Sequence, residues 1–322
     1  MVKLKPENQI VINNEIMDTI CKSYGILHFD FETINQGIEN SSFRIFLADK
    51  KYVLRVYAQG KNDSDILLEI NFQDYLRHHN IPIPIIHPNT KGEKLNIVEI
   101  SGKRWQTILM DLVEGQSRTT KPSKELIVNL ATLQAKMHLL GIEFSKITDG
   151  PKKSWVALRD TLASKIDRSE IGGQEVQNLI ERIKKYNYFL SSDLPHGYNH
   201  LDIDLDGNVI TNNDKIAGII DFDDLKYSPL IVCLGYSIWN ILDDEGIASA
   251  KIYLKAYVDI RPITPLEYLT LSNVVLFRNY VIAIIRLLHW NSNTSIDRIT
   301  SLINLEKEIP VLLSPQNLKN DA

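Results

Sequence analysis

The residues best suited to chemistry lie in one stretch, HGYNHLDIDLDGNVITNNDKIAGIIDFDD, at positions 196–224. It contains a His-x-Asp that ends at Asp202, an asparagine at Asn208, and an Asp-Phe-Asp that begins at Asp221. Phosphoryl transfer to a hydroxyl group needs a carboxylate beside the accepting hydroxyl, together with an amide oxygen and a second carboxylate for magnesium. The stretch supplies all three groups and predicts a kinase-type site.

Two short apolar segments must position these groups. VIT at 209–211 and KIAGII at 215–220 flank Asn212-Asn213, whose side chains suit a tight turn, so a β-hairpin is predicted. Asn208 enters this hairpin and Asp221 leaves it. Because the two ends of an antiparallel hairpin are adjacent, an amide oxygen and a carboxylate would converge there as hard ligands for Mg²⁺. Asp202, on the preceding loop, would orient a substrate hydroxyl and accept its proton.

The same stretch has two alternative interpretations. Seven aspartates fall between positions 202 and 224, and an Asp-rich surface turn would also explain them. A calcium loop is the second alternative, because DIDLDG places aspartates at alternate positions before Gly207. An EF-hand loop, however, needs a Glu six residues after its glycine, and position 213 is Asn.

The N-terminal third predicts a phosphate-binding cation. Arg55 lies centrally in the strand-like segment YVLRVY, and a cation there needs a partner. Glu69, on the helix that is predicted to follow, is a candidate, and such a pair would present positive charge to ATP phosphates. An arginine that extends from an edge strand into solvent is the alternative.

Two further segments could contact a nucleotide. The polar loop at 36–42 offers backbone N–H groups to phosphates, or is an ordinary hairpin. Its last residues are Ser41 and Ser42. The segment ILMDLVEG at 108–115 would present backbone groups to an adenine ring, or is a strand that runs into a loop. Its central residues are Met110, Asp111 and Leu112.

Length and pattern predict an α+β protein with two lobes. A chain of 322 residues exceeds the usual single domain, and its 44% apolar content allows a large core. Residues 1–113 are interpreted as an N-terminal nucleotide-binding lobe, a mainly antiparallel sheet with one inserted helix and a leading helix. Residues 114–322 are interpreted as a mainly helical catalytic and substrate lobe. Its first helix is expected to end at Gly141, and one or two more helices are expected at 160–190.

Composition argues against several classes of partner. A net charge of −4 leaves no basic excess to attract nucleic acid or an acidic membrane surface. The most apolar long run, 269–288, contains Arg278 and Arg286, which are costly in lipid, so a buried C-terminal helix is expected. Two distant cysteines and an N-terminus that lacks an unbroken apolar run favour a cytoplasmic protein.

The order of these motifs resembles the aminoglycoside phosphotransferase, choline kinase and homoserine kinase group, which has a protein-kinase-like fold. The resemblance covers nearly the whole chain. It is carried by NQGIENSSF, YVLRVY, the helix with Glu69 followed by NIPIPIIHP, ILMDLVEG, LATLQAKMH, HLDIDLDGN and IAGIIDFDD. It implies ATP and Mg²⁺ as cofactors and a small-molecule hydroxyl as the acceptor.

The resemblance also implies residue roles. Asp202 would be the catalytic base and His200 the structural histidine of the catalytic loop. The metal ligands would be Asn208 and Asp221. Arg55 would replace the strand lysine that touches nucleotide phosphates, with Glu69 as its helix partner. The adenine-binding hinge would be Met110, Asp111 and Leu112.

Two departures from the group's pattern define the alternatives. In the group, the loop usually has the pattern His-Gly-Asp, four residues and then Asn. Here Tyr198 follows His196-Gly197, and Asn208 comes six residues after Asp202. Asp204 is therefore an alternative base, and a catalytically inactive, nucleotide-binding pseudokinase is the alternative function. The second departure is arginine in place of lysine at position 55.

The sequence leaves the acceptor open. Acidic residues around Asp202 favour an amine-bearing compound such as an aminoglycoside, an amino alcohol or a homoserine-like molecule, although magnesium explains several of the same charges. Protein serine or threonine acceptors, GTP in place of ATP, and the oligomeric state also stay open.

Overall fold

The computed structural model describes residues 12–36, 40–117, 121–150 and 193–290, together with positions 178, 181–183, 185 and 309. The start of the predicted leading helix, the centre of the loop at 36–42 and most of the helices predicted at 160–190 lie outside these residues. The chain divides into two compact units. The first comprises Met1–Gly115 and Ala217–Ile220, and the second Gln116–Ile216 and Asp221–Ala322.

Among the described residues, the first unit contains an antiparallel sheet and two helices. The strands are β1 (Asp30–Gln36), β2 (Ser41–Phe46), β3 (Lys51–Val56), β4 (Ile86–His87), β5 (Asn96–Ile100) and β6 (Lys103–Asp111). Their spatial order is β1-β2-β3-β6-β4, and β5 also pairs with β6. The helices are α1 (Asn14–Ser23) and α2 (Asp63–His78). The predicted antiparallel sheet with one inserted helix and a leading helix is therefore present.

Alternation along β3 gives this sheet two covered faces. Leu54 and Val56 belong to a core that includes Met17 and Ile20 of α1. Tyr57, just after β3, packs in a separate cluster with residues of α2. Arg55 is opposite Ser42 on β2 and Ile108 on β6. Because directly opposed residues of antiparallel strands share a face, Arg55 lies on the face that α2 covers.

The second unit is mainly helical. Its long helices within the described residues are α3 (Lys124–Ile147), α4 (Leu230–Ile260), which Gly246 interrupts with φ of 80°, and α5 (Pro265–Trp290). Its strands are β7 (His196–Asn199) and β10 (Lys226–Pro229), which pair, and β8 (Val209–Asn212). β8 pairs with β9 (Lys215–Ile219), whose last three residues are counted with the first unit. In the part of the chain that the structure describes, no helix combines the length and apolar character needed to cross a membrane.

The predicted hairpin is present, with its turn one residue later than expected. Asn213 and Asp214 connect β8 to β9 with φ of 50° and 59°. A two-residue turn with positive φ at both positions matches the right-handed twist of the flanking strands, and Asn and Asp tolerate this conformation better than most residues do. The hairpin therefore begins directly after Asn208 and ends two residues before Asp221.

Helix α3 crosses strand β7 at a pair of glycines. The sequence predicted that this helix would end at Gly141, but the helix continues to Ile147. A Cβ on Gly141 would overlap the carbonyl oxygen of Tyr198, and one on Gly197 would lie 2.9 Å from the backbone nitrogen of Ile142. Gly141 is therefore a close-approach residue, and the contact holds β7 against α3 just before the His-x-Asp loop.

The glycine crossing gives a stability prediction. Gly141→Ala should lower the free energy of unfolding by about 2 kcal/mol, because backbone overlap outweighs the gain of about 1 kcal/mol in helix propensity. Urea denaturation would measure the change. Gly207→Ala is the control, since its Cβ would meet nothing nearer than 3.7 Å. A Gly141→Ala variant as stable as the wild type would contradict the close approach.

Candidate active site

Strand β7 delivers the chain to the His-x-Asp loop. β7 pairs with β10 from His196 opposite Pro229 to Asn199 opposite Lys226. The Asn199 amide donates to the Ser228 hydroxyl at 3.0 Å, which fixes the end of the ladder. His196 and Gly197 are thus strand residues, and the loop begins at His200.

His200 connects the His-x-Asp and Asp-Phe-Asp motifs. It is buried, and its Nδ1 accepts a hydrogen bond from the backbone N–H of Asp202 at 3.3 Å. Its ring meets that of Phe222 edge-on, with centroids 4.6 Å apart. Leu201 follows His200 and Asp221 precedes Phe222, and the two residues have φ of 61° and 65°. This left-handed conformation costs about 1–3 kcal/mol for a residue other than glycine. Such strain concentrates at functional loops, where packing sustains it.

Asn208 holds Asp202 although the loop is one residue longer than the group's pattern. The Asn208 side-chain nitrogen donates to the carbonyl oxygen of Asp202 at 2.9 Å and to its Oδ2 at 3.0 Å. A turn on the carbonyl oxygen of Asp204 absorbs the added length, since the N–H groups of Asn208 and Val209 reach that oxygen at 3.1 and 3.0 Å. Because the amide nitrogen is committed to Asp202, the amide oxygen is the atom left to bind a cation.

Asp204, the alternative base, supports the turn itself. Its Oδ1 accepts the backbone N–H of Asp206 at 3.0 Å. Burial raises the pKa of Asp204, and the nearby negative charges of Asp202 and Asp206 raise it further. Its carboxylate therefore has a structural role within the loop.

Arg278 of α5 contacts Asp202, and the sequence interpretation did not identify it as a site residue. Its Nη2 donates to Oδ1 of Asp202 at 3.2 Å, and its guanidinium lies 4.5 Å from the centre of the Tyr236 ring. The side chains of Arg278 and Asp202 are 19% and 38% exposed. The available signal was a charged residue in an otherwise apolar helical segment, since such a charge needs a partner.

In the first unit, Arg55 and Ser42 share a face of the sheet. Arg55 is 8% exposed, and its guanidinium lies 5.9 Å from the centre of the Tyr57 ring. Ser42 is directly opposite Arg55, whereas Ser41 is opposite Val56 and only 3% exposed. The two predicted phosphate-loop serines therefore point to opposite faces, and Ser42 is the one on the arginine's side.

Glu69 is buried with two groups that the sequence interpretation missed. It accepts a hydrogen bond from the Tyr57 hydroxyl at 2.9 Å, and Lys61 Nζ lies 3.5 Å from its other carboxylate oxygen. Lys61 also lies 4.6 Å from the centre of the Tyr57 ring. Tyr57 thus interacts with two cations through its ring and with the carboxylate through its hydroxyl. The direct Arg55–Glu69 pair stays a prediction.

The predicted adenine-binding residues form the end of β6. Met110 is opposite Val53 on one side and Ile86 on the other. The Asp111 N–H donates to the Ile85 carbonyl oxygen at 2.9 Å, and the Asp111 carboxylate lies 2.6 Å from His87 Nε2. Leu112, just beyond the strand, donates its N–H to Lys51 at 3.4 Å. These contacts commit much of this backbone to the sheet, and the adenine-binding role stays a prediction.

Asn208 and Asp221 suit a metal ion such as Mg²⁺ by donor type and position. Asn208 precedes β8 and Asp221 follows β9, so the hairpin brings both to the same end. Asp221 is exposed, and both side chains offer oxygen ligands. Among the described residues, no group of three or more His, Cys, Asp and Glu side chains could hold a metal by itself. Two oxygen donors together with nucleotide phosphates are the usual arrangement for Mg²⁺ in a kinase.

Comparison with known proteins places this architecture among phosphotransferases. The phosphotransferase enzyme family matches residues 30–266. Homoserine kinase from Parvibaculum lavamentivorans is 26% identical over 263 residues, which cover 80% of this chain and 79% of that protein.

Solved structures give the same picture of the fold. Amicoumacin kinase hAmiN, in complex with AMP-PNP, Ca²⁺ and Ami, aligns over 97% of this chain and 98% of its own, with a TM-score of 0.73 at 17% identity. A microcompartment-associated aminopropanol kinase aligns over 94% of this chain and 100% of its own, with a TM-score of 0.72 at 17% identity. These likenesses confirm the predicted kinase-like α+β fold.

The raised pKa of Asp204 gives a pH-dependent prediction. A carboxyl group whose pKa is higher in the folded than in the unfolded state adds stability below the unfolded pKa of 3.8, and that stability is lost as pH rises through the folded pKa. Asn at position 204 does not titrate, so Asp204→Asn avoids this loss of stability. The free energy of unfolding of the variant relative to that of the wild type should therefore increase between pH 4 and pH 8. Urea titrations at several pH values would measure it.

A second variant separates charge from hydrogen bonding. Asp204→Ala also removes the acceptor for the Asp206 N–H and should be less stable than Asp204→Asn throughout that range. A stability difference between wild type and Asp204→Asn that stayed constant with pH would contradict the raised pKa.

Proposed function

Because this chain belongs to the phosphotransferase enzyme family, we propose that it transfers the γ-phosphate of ATP to a hydroxyl of a small acceptor, with Asp202 as the base. Family membership confirms the prediction of an ATP-dependent kinase that acts on hydroxyl groups. The contact between Asn208 and Asp202 is the observation that carries the residue assignment, because it brings together the two loop residues that the chemistry needs.

Asp202 is oriented through both of its carboxylate oxygens. Asn208 donates to Oδ2 and Arg278 donates to Oδ1, while the carboxylate stays partly open to solvent. A carboxylate held in this way can accept a hydrogen bond from the acceptor hydroxyl, align its oxygen with the phosphoryl group, and take the proton as the new bond forms. Orientation of this kind accounts for much of kinase catalysis.

The remaining roles complete the proposal. Asn208 Oδ1 and the Asp221 carboxylate would hold Mg²⁺, which neutralises charge on the transferred phosphate. Nucleotide binding is assigned to the first unit. Arg55 and Ser42 would face the phosphates, with Glu69 as the buried carboxylate beside them, and the end of β6 would face the adenine ring. A cytoplasmic location is supported by the two free, buried cysteines.

The acceptor class has support from the relatives. The aminoglycoside, amino alcohol and homoserine-like compounds considered from sequence are all small molecules with hydroxyl groups. Homoserine kinases match about three quarters or more of this chain and of their own length, which favours a homoserine-like acceptor. A screen of hydroxylated metabolites and aminoglycosides for acceptor-dependent ADP release would test the proposed activity.

Removal of the base tests the catalytic assignment. Asp202→Asn should lower kcat by a factor of about 10² or more, because general-base catalysis typically contributes 10²–10⁴. Coupled ADP release would measure turnover, and calorimetry should show Mg·ATP binding similar to that of the wild type. Asp214→Asn, in the exposed β8–β9 turn, is the matched control and should keep full activity. Unchanged turnover in Asp202→Asn would move the base to Asp204.

Removal of the second carboxylate tests the metal assignment. Asp221→Asn should raise the Mg²⁺ concentration for half-maximal ATP binding about tenfold or more, because a hard cation loses a charged oxygen ligand. Calorimetric titration of ATP at a series of Mg²⁺ concentrations would give the shift. Asp223→Asn, two residues along, makes the same chemical change next to the site. If both variants bound like the wild type, Asp221 would not be a ligand.

Mg·ATP binding without transfer to any acceptor by the wild type would favour the pseudokinase.

A further inference from the structure

We infer that Arg278 recognises an anionic group on the acceptor, so that the preferred substrates are small hydroxylated carboxylic acids. The inference rests on the proposed function, since it takes Asp202 as the base. It deepens that function by naming a chemical class: compounds that carry a carboxylate near the reacting hydroxyl, with hydroxy amino acids as the example that also carries an amine.

The position of Arg278 relative to Asp202 carries the first step. Asn208, the proposed metal ligand, contacts Oδ2 of Asp202, and Arg278 contacts Oδ1. The metal and the phosphates are thereby assigned to the Oδ2 side of the carboxylate. The guanidinium occupies the Oδ1 side, which leaves it beside the incoming acceptor.

The hydrogen-bonding capacity of the guanidinium carries the second step. Arginine has five N–H donors, and within the described residues Arg278 makes one hydrogen bond, through Nη2. Its Nε is buried and has no acceptor there. The terminal nitrogens have capacity for a further anion, and the planar guanidinium can bind a carboxylate through two parallel hydrogen bonds.

Aromatic packing fixes the guanidinium in place. It lies 4.5 Å from the centre of the Tyr236 ring and 6.0 Å from that of Trp239. The Trp239 indole N–H donates to Asn279 at 2.9 Å, which holds that ring against α5. A cation fixed in this way is prepared to bind a ligand, because little side-chain freedom is lost on binding.

The N-terminus of α5 fixes the helix that presents Arg278. The Thr264 hydroxyl accepts the Glu267 N–H at 3.1 Å, and the Glu267 carboxylate accepts the Thr264 N–H at 2.9 Å, so the two residues form a capping box. The same carboxylate pairs with buried Arg261 at 2.7 Å. Pro265 occupies the first helical position, where its missing N–H has no consequence.

The sign of the charge separates acceptor classes. A fixed guanidinium beside the base attracts a carboxylate and repels an ammonium group at the same place. An aminoglycoside or a simple amino alcohol offers only cationic groups there. A hydroxy amino acid can place its carboxylate on Arg278 and its amine toward the acidic loop that contains Asp204 and Asp206.

A matched pair of acceptors tests the inference. Homoserine and 3-aminopropan-1-ol have the same hydroxyl, the same three-carbon spacing to the amine, and differ only in the carboxylate. The wild type should prefer homoserine in kcat/KM by about 10²-fold or more, because a site built for a charged group rejects the analogue that lacks it. Arg278→Gln should reduce this preference to below about tenfold, mainly through a higher KM for homoserine.

Further variants show which role Arg278 has. Arg278→Lys keeps the charge without the planar pair of donors and should fall between wild type and Arg278→Gln. Arg104→Gln, at an exposed arginine that pairs with Asp63 in the first unit, should leave the preference unchanged. Urea midpoints identify any variant that fails to fold. If Arg278→Gln fails to fold, Arg278→Lys, which is the smaller change, serves as the test.

Three results would overturn the inference, and one of them also removes the proposed function. An equal loss of kcat on both acceptors in Arg278→Gln would assign Arg278 to positioning Asp202 or to the transferred phosphate. If the wild type phosphorylates only acceptors without a carboxylate, the proposed small-molecule kinase activity stands but the inferred acceptor class is wrong. If no hydroxylated compound in the screen supports ADP release, the proposed function fails, and the inference fails with it.

Discussion

The side-chain amide of Asn208 holds Asp202 by its backbone and its carboxylate together, and the geometry of the loop depends on this contact. Six residues separate the two positions, and they remain close because the chain turns on the carbonyl oxygen of Asp204. The Asp204 side chain closes the start of that turn through the Asp206 N–H. An amide suits the position because its nitrogen bonds to a carboxylate while its oxygen can still bind a cation.

Packing on either side of the loop sustains its left-handed residues. The β7–β10 ladder and the glycine crossing with α3 fix the chain just before Leu201. The ring contact between His200 and Phe222 fixes the chain just after Asp221. The strain at these two positions is therefore supported by contacts of buried residues. Side chains that must act on a substrate gain precision when rigid neighbours orient them in this way.

Local patterns predicted the elements, and contacts distant in sequence account for what was missed. Alternation and turn residues predicted the N-terminal sheet and the β8–β9 hairpin, although the turn lies at Asn213 and Asp214. Gly141 was taken as a helix end because glycine is common there, but its real constraint is the backbone of Tyr198, 57 positions further along the chain. A one-dimensional pattern has no access to such an approach.

The site residues divide in the same way. Asp202 and Asn208 could be proposed as site residues from the sequence because their residue types lie on one short loop. Tyr57 and Lys61 were missed because their contacts with Glu69 depend on how α2 packs on the sheet. The seven aspartates also divide by their contacts, since Asp204 and Asp214 serve turns whereas Asp202 accepts a hydrogen bond from Asn208. The Asp-rich surface turn considered from sequence therefore describes part of the stretch.

Arg278 shows how a charge in an apolar helix can be accounted for. Transfer of a guanidinium from water into a largely buried site is unfavourable unless another charge or an aromatic surface compensates for the lost hydration. Asp202 supplies the opposite charge, and Tyr236 and Trp239 supply the aromatic faces. A stabilising role alone would not require the opposite charge to be the partly exposed carboxylate of the catalytic loop. In the proposed mechanism the pair would place one positive and one negative group beside the acceptor, so that Arg278 would bind the acceptor's anionic group and Asp202 would take its proton.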